Sequence, residues 1–124
     1  MRIKLRPAQF ALYALLISPG VLIANDSTSE PCSQSEWGAY FDLIQGHVRG
    51  FWKPPFTYRA MSCTILVRQD FRSEVEHVEI LTCDEEARVR KSAEDAGYAA
   101  SPLPKPDNKN CFSKQMTVRL VYSP

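Results

Sequence analysis

Two histidines, four cysteines and a run of carboxylates are the side chains through which this 124-residue sequence could do chemistry. His47 and His77, joined by a lysine, would meet the minimum for metal-independent attack on a phosphodiester, provided all three converge on one phosphate. Their sequence surroundings argue otherwise. His47 lies beside the apolar stripe of a helical pattern, and His77 stands among Glu74, Glu76 and Glu79. A carboxylate-rich neighbourhood repels a phosphodiester. A small secreted nuclease is therefore the remote alternative, and both histidines read as surface or partly packed side chains. The wider acidic group, Glu74, Glu76, Glu79, Asp84, Glu85 and Glu86, reads first as a solvated face. As a functional surface it would recognise a basic partner, steering association more than supplying affinity.

The cysteines carry a different chemistry. A zinc site calls for paired C-x-x-C spacings, whereas Cys32, Cys63, Cys83 and Cys111 are at least 20 residues apart. An even count in a small exported domain reads instead as two disulfides, with three connectivities open. No metal, cofactor or turnover is expected.

Export is read from the start of the chain. Arg2, Lys4 and Arg6 precede an apolar run over 10–23, interrupted only by Ser18-Pro19-Gly20. This is the order of a secretory signal, and the run is short for a spanning helix of about 20 residues. Residues 1–24 are thus a signal peptide cut after Ala24, or an uncleaved inner-membrane anchor, since Leu22 is large for a cleavage site. The breaker-rich stretch 25–34 is a linker, and 35–124 is one domain. Without the leader, twelve basic residues face fourteen acidic ones, a net charge of about −2. A dedicated nucleic-acid surface would need clustered Lys and Arg.

The elements follow from spacing. Ser33-x-x-Glu36 is a capping box, and Trp37, Tyr40, Phe41, Ile44 and Val48 then recur as one broad helical stripe. Gln45 and Arg49 fall on other faces. Gly50 and Pro54-Pro55 end the helix, leaving Phe51 and Trp52 at its exit. Residues 62–69 form a strand with Cys63, Ile65 and Val67 on one face. Asp70-Phe71-Arg72-Ser73 turns it, and 74–82 returns as a second strand. A second helix begins at Thr82 or Asp84, carries Val89, Ala93 and Ala96 on a narrow stripe, and ends at Gly97. The proline-locked run 101–106 cannot be helix interior or central strand. A last strand places Phe112, Met116, Val118, Leu120 and Tyr122 on one face, and Thr117, Arg119 and Val121 on the other.

This order (helix, Phe51-Trp52-Lys53-Pro54-Pro55, hairpin opening at Ser62-Cys63-Thr64-Ile65, Cys83 at the second helix, Ser101-Pro102-Leu103-Pro104-Lys105-Pro106, final strand) resembles the C-terminal domain of TolA, the periplasmic tip of the Tol–Pal system. TonB C-terminal domains are more distant relatives. The resemblance covers about 35–123 and implies an α+β fold in which a small three-stranded antiparallel sheet packs against helices. The family's pairing of a first-strand cysteine with one near the next helix implies Cys63–Cys83, two positions that the hairpin also brings to one open end. Cys32–Cys111 is then the remaining bridge, an addition to the family pattern. The long stalk of TolA has no counterpart here, so energy transduction is not expected.

The resemblance further implies a non-enzymatic periplasmic interaction module, free in the periplasm or anchored facing it. Its partners would be TolB-like envelope proteins, or a filamentous phage coat protein or colicin that exploits the domain. A secreted inhibitor, immunity or decoy protein on the same fold is the alternative. The expected mode is β-strand addition, a partner segment lying beside Met116, Thr117, Val118, Arg119, Leu120, Val121 and Tyr122.

Overall fold

The structure is a computed structural model that describes residues 30–124. The expected leader over 1–24 and the first five linker residues lie outside the described residues. The first helix, α1, spans Gln34–Phe51. Its capping box is complete: Glu36 N–H donates to Ser33 Oγ at 3.1 Å, and Ser33 N–H donates to Glu36 Oε1 at 3.0 Å. Two orphan donors of the first turn are thereby satisfied.

The buried ridge of α1 is narrower than its spacing suggests. Tyr40, Ile44 and Val48 are inside, but Trp37 and Phe41 keep 38% and 36% of their surface in solvent. Gln45, one position round from Ile44, is buried instead, at 4% exposure. Backbone polar groups of the sheet need partners on this face, and an amide supplies them where an aromatic ring cannot.

Strands β1 (Met61–Gln69), β2 (Val75–Cys83) and β3 (Gln115–Tyr122) form one antiparallel sheet in the order β2-β1-β3. Ile65 lies opposite both Ile80 and Val118, which fixes the central register. A slip of one residue would turn Cys63, Ile65 and Val67 out of the core. That core face is covered by α1 and by the second helix, α2, at Ala87–Ala99.

α2 starts later than the acidic run suggests. Glu86 is its N-cap, and its side chain accepts from Arg88 N–H. Asp84, just before it, accepts from Glu86 N–H at 3.0 Å and pairs with Arg59, whose two guanidinium nitrogens lie 2.6 and 3.3 Å from the carboxylate. Gly97 does not end the helix; it lies within it, pressed against β2. A Cβ there would sit 2.7 Å from Val78 Cγ2, so the glycine permits close helix–sheet approach.

The proline run packs back on the hairpin turn. Leu103 is buried and its N–H donates to Ser73 O at 2.7 Å. A 3-10 turn at Lys109–Cys111 then leads into β3. Phe112 caps that turn and is not part of the strand, because β3 begins three residues later. Disulfides join Cys32 to Cys111 and Cys63 to Cys83. The first ties the start of α1 to the approach to β3, and the second closes the open end of the hairpin.

Candidate functional site

Met116, Val118 and Leu120 of β3 are buried against the helices, while Thr117, Arg119 and Val121 are exposed on the opposite face. Tyr122 is half-buried, and its hydroxyl donates to Thr57 O at 3.0 Å. The strand pairs with β1 on one side only, so its other side is a rim of the sheet.

In an antiparallel strand, the N–H and C=O of each residue point the same way, and successive residues alternate. The contacts of β3 identify which residues face outward. Gln45 Nε2 donates to Thr117 O at 2.7 Å, and Arg119 N–H donates to Gln45 Oε1 at 3.1 Å. Arg49 Nε donates to Arg119 O at 3.1 Å. Thr117, Arg119 and, by alternation, Val121 thus present their backbone outward. Met116, Val118, Leu120 and Tyr122 turn theirs to β1.

Gln45 and Arg49 therefore hold the middle of the rim through their side chains, imitating the ladder of a fourth strand. This is one way a protein shields an edge that another chain could extend. The spacing alone puts both residues on helix faces other than the apolar stripe and assigns them no part in the sheet edge. The signal that could have found Gln45 is a polar residue directly next to the most buried position of the stripe, Ile44.

The opposite rim, on β2, is less suited to an added strand. Its register against β1 is irregular in two places, between Thr64 and Ile65 and between Arg68 and Gln69. Two of its outward N–H groups are held as well, as that of Arg119 is on β3: Val75 N–H donates to Ser101 Oγ at 2.9 Å, and Val78 N–H to the Tyr98 hydroxyl at 3.3 Å. β3, by contrast, runs in unbroken register with β1 from Gln115 to Tyr122. The continuous rim belongs to β3.

The titratable groups do not converge. His47 is bound through Nε2 to Ala100 O at 2.8 Å, with its ring on the edge of Phe51. His77 is exposed on β2, opposite Arg68. The acidic group divides into Glu74, Glu76, Glu79 and Glu85, which face solvent, and Asp84 and Glu86, which hold the start of α2. The Arg59 guanidinium, helped by Glu86 N–H, keeps the Asp84 carboxyl below its usual range. Hydrogen bonds from Arg88, first its backbone N–H and then its side chain, do the same for Glu86. Among the described residues no cluster of three His, Cys, Asp or Glu side chains could hold a metal ion.

Two helices on one face of a three-stranded antiparallel sheet, stapled by two disulfides, define a small α+β module with one rim in continuous register, its middle held by Gln45 and Arg49. The solution structure of TolAIII bound to a peptide derived from the N-terminus of TolB is similar in fold. It has a TM-score of 0.54 and 19% identity, covering 70% of this chain and 73% of that one. No protein-family model matches the chain, and no curated protein does.

Proposed function

We propose that this chain is a non-enzymatic, extracytoplasmic protein-interaction module that takes an extended segment of a TolB-like envelope protein beside β3. The observation that carries the reading is the pairing of a TolAIII-like fold with an unbroken outer strand. The solved TolAIII is itself occupied by a TolB peptide. Two disulfides suit an oxidising compartment such as the periplasm. No helix among the described residues is long and apolar enough to cross a membrane.

In this mode the partner's backbone takes over the outward groups of Thr117, Arg119 and Val121. Gln45 and Arg49 release the middle of the rim as it docks. Main-chain hydrogen bonds supply affinity, and alternate side chains supply selectivity. On the open face of the sheet those alternate positions lie beside Thr117, Arg119 and Val121, a polar, cationic and apolar sequence of neighbours.

The rim geometry selects the test. Arg119→Pro deletes an outward donor and leaves the ladder to β1 intact, whereas Val118→Pro deletes a donor turned towards β1 and threatens the fold. A synthetic peptide with the sequence of the TolB N-terminus, titrated by calorimetry, should bind the parent protein and fail to bind Arg119→Pro. Equal binding to a folded Arg119→Pro variant removes β3 as the docking line.

A further inference from the structure

We propose a second docking site, independent of the β3 rim, in the groove between the hairpin turn and the 3-10 turn; its occupant is an acidic partner segment bearing an aromatic side chain. The groove is open, about 500 Å³, and lined by Phe71, Ser73, Lys105, Pro106, Lys109 and Phe112.

Phe71 stands at the tip of the β1–β2 turn with 77% of its surface in water. A lone exposed aromatic would need no explanation. This one is part of an assembly. Its ring centroid lies 5.7 Å from that of Phe112, the planes tilted by 31°, and Lys114 Nζ lies 5.2 Å from the same ring. Pro106 adds apolar surface, and Lys105 and Lys109 line the groove, Lys105 Nζ donating one bond to Arg72 O at 3.2 Å.

The frame beneath is firmly built. Asp70 Oδ1 accepts from both Arg72 N–H and Glu74 N–H, at 2.8 and 3.0 Å. Ser73 adopts the left-handed region, with φ at 69°, and its carbonyl accepts from Leu103 N–H. The Ser73 hydroxyl is buried without a hydrogen-bond partner. Backbone held in that region by its surroundings is a recurrent feature of ligand-contacting turns.

Charge selects the occupant. Residues 30–124 carry twelve basic and thirteen acidic side chains, yet Lys105, Lys109 and Lys114 gather around this one groove. Among neighbouring acids, Asp70 is engaged by the turn amides and Arg72 and also feels Lys105, and Asp107 lines a different hollow beside Glu36. The patch therefore attracts negative charge on a molecule that is not basic as a whole. An aromatic side chain stacks on Phe71 and Phe112, and flanking carboxylates meet the lysines. A nucleic acid would call for a longer basic track than three lysines at one groove.

Fluorescence anisotropy tests this with a dye-labelled acidic peptide, EEWEEF, beside its basic counterpart KKWKKF and a short single-stranded oligonucleotide. The acidic peptide should bind saturably, lose affinity as salt is raised, and ignore Arg119→Pro. Phe71→Ala should weaken it by about tenfold, as should Lys105→Gln combined with Lys109→Gln, with only a small change in melting, because all three side chains are exposed and their contacts to Phe112, Lys114 and Arg72 O lie at the surface. Absent or unsaturable binding overturns the proposal, as does binding indifferent to both variants. Equal binding of the basic peptide or tighter binding of the oligonucleotide also overturns it.

Discussion

Gln45→Ala separates the fold from the docking rim with one substitution. The Gln45 amide is buried and makes two hydrogen bonds to β3, one to Thr117 O and one from Arg119 N–H. Removing it strands one acceptor and one donor. A backbone group left fully buried and unpaired costs about 1–3 kcal/mol. Here Thr117 and Arg119 lie at an exposed rim, so water recovers much of that, and the net loss of folding stability should be about 1–2 kcal/mol. The same contacts must be displaced when a partner strand docks. Relief from that competition should tighten binding by roughly tenfold, since each 1.4 kcal/mol is a factor of ten. Urea unfolding followed by tryptophan fluorescence reads the first effect, and calorimetry with the TolB N-terminal peptide reads the second. The two must move in opposite directions. A variant that is destabilised but binds no more tightly would refute the idea that Gln45 and the partner compete for the same two backbone atoms.

Other perturbations probe the frame. Gly97→Ala should destabilise by about 1–2 kcal/mol despite alanine's higher helix propensity, because its Cβ would meet Val78 at 2.7 Å; a melt at or above the parent temperature contradicts this close approach. Opening Cys32–Cys111, which spans 79 residues, should cost about 4.5 kcal/mol in the loop-entropy model, against about 3 for Cys63–Cys83, which spans 20. Paired serine variants compared by denaturation would reverse that order if native packing outweighs chain entropy. Glu36, Asp70, Asp84 and Glu86 are all held below the ordinary carboxylate range by donors from Ser33, Glu74, Arg59 and Arg88 respectively. Their folded values lie below the unfolded ones, so their stabilisation is complete above about pH 5 and is lost as pH falls through the lowered values. Melting temperature should decline on acidification below about pH 4, less steeply in Asp84→Asn; a flat profile contradicts it.

Much of this arrangement is legible in the residues. The capping box at Ser33 and Glu36 locates α1 because both halves of the motif act within four residues. Alternation alone identifies Met116, Val118 and Leu120 as the inner face of β3. The failures share one cause, tertiary demand overriding local signal. Trp37 fits the helical stripe but stays at the surface, while Gln45, excluded by polarity, is buried because β3 offers it two partners. Gly97 resembles a helix terminator until Val78 is placed beside it. Asp84 looks like a first-turn acid, yet Arg59, 25 residues earlier in the chain, claims it. The rim was readable only in part: periodicity shows which side chains point outward, but not which backbone groups another element already holds.

Residue-resolved amide exchange of the protein, alone and saturated with the TolB N-terminal peptide, tests strand addition most directly. The outward N–H groups of Thr117 and Val121 should gain protection on binding, while that of Arg119 exchanges Gln45 Oε1 for the partner and should change less. Those of Val118 and Leu120, already bonded towards β1, should change little. Protection gained instead along β2, or no gain at Thr117 and Val121 under saturation, would contradict docking at the β3 rim.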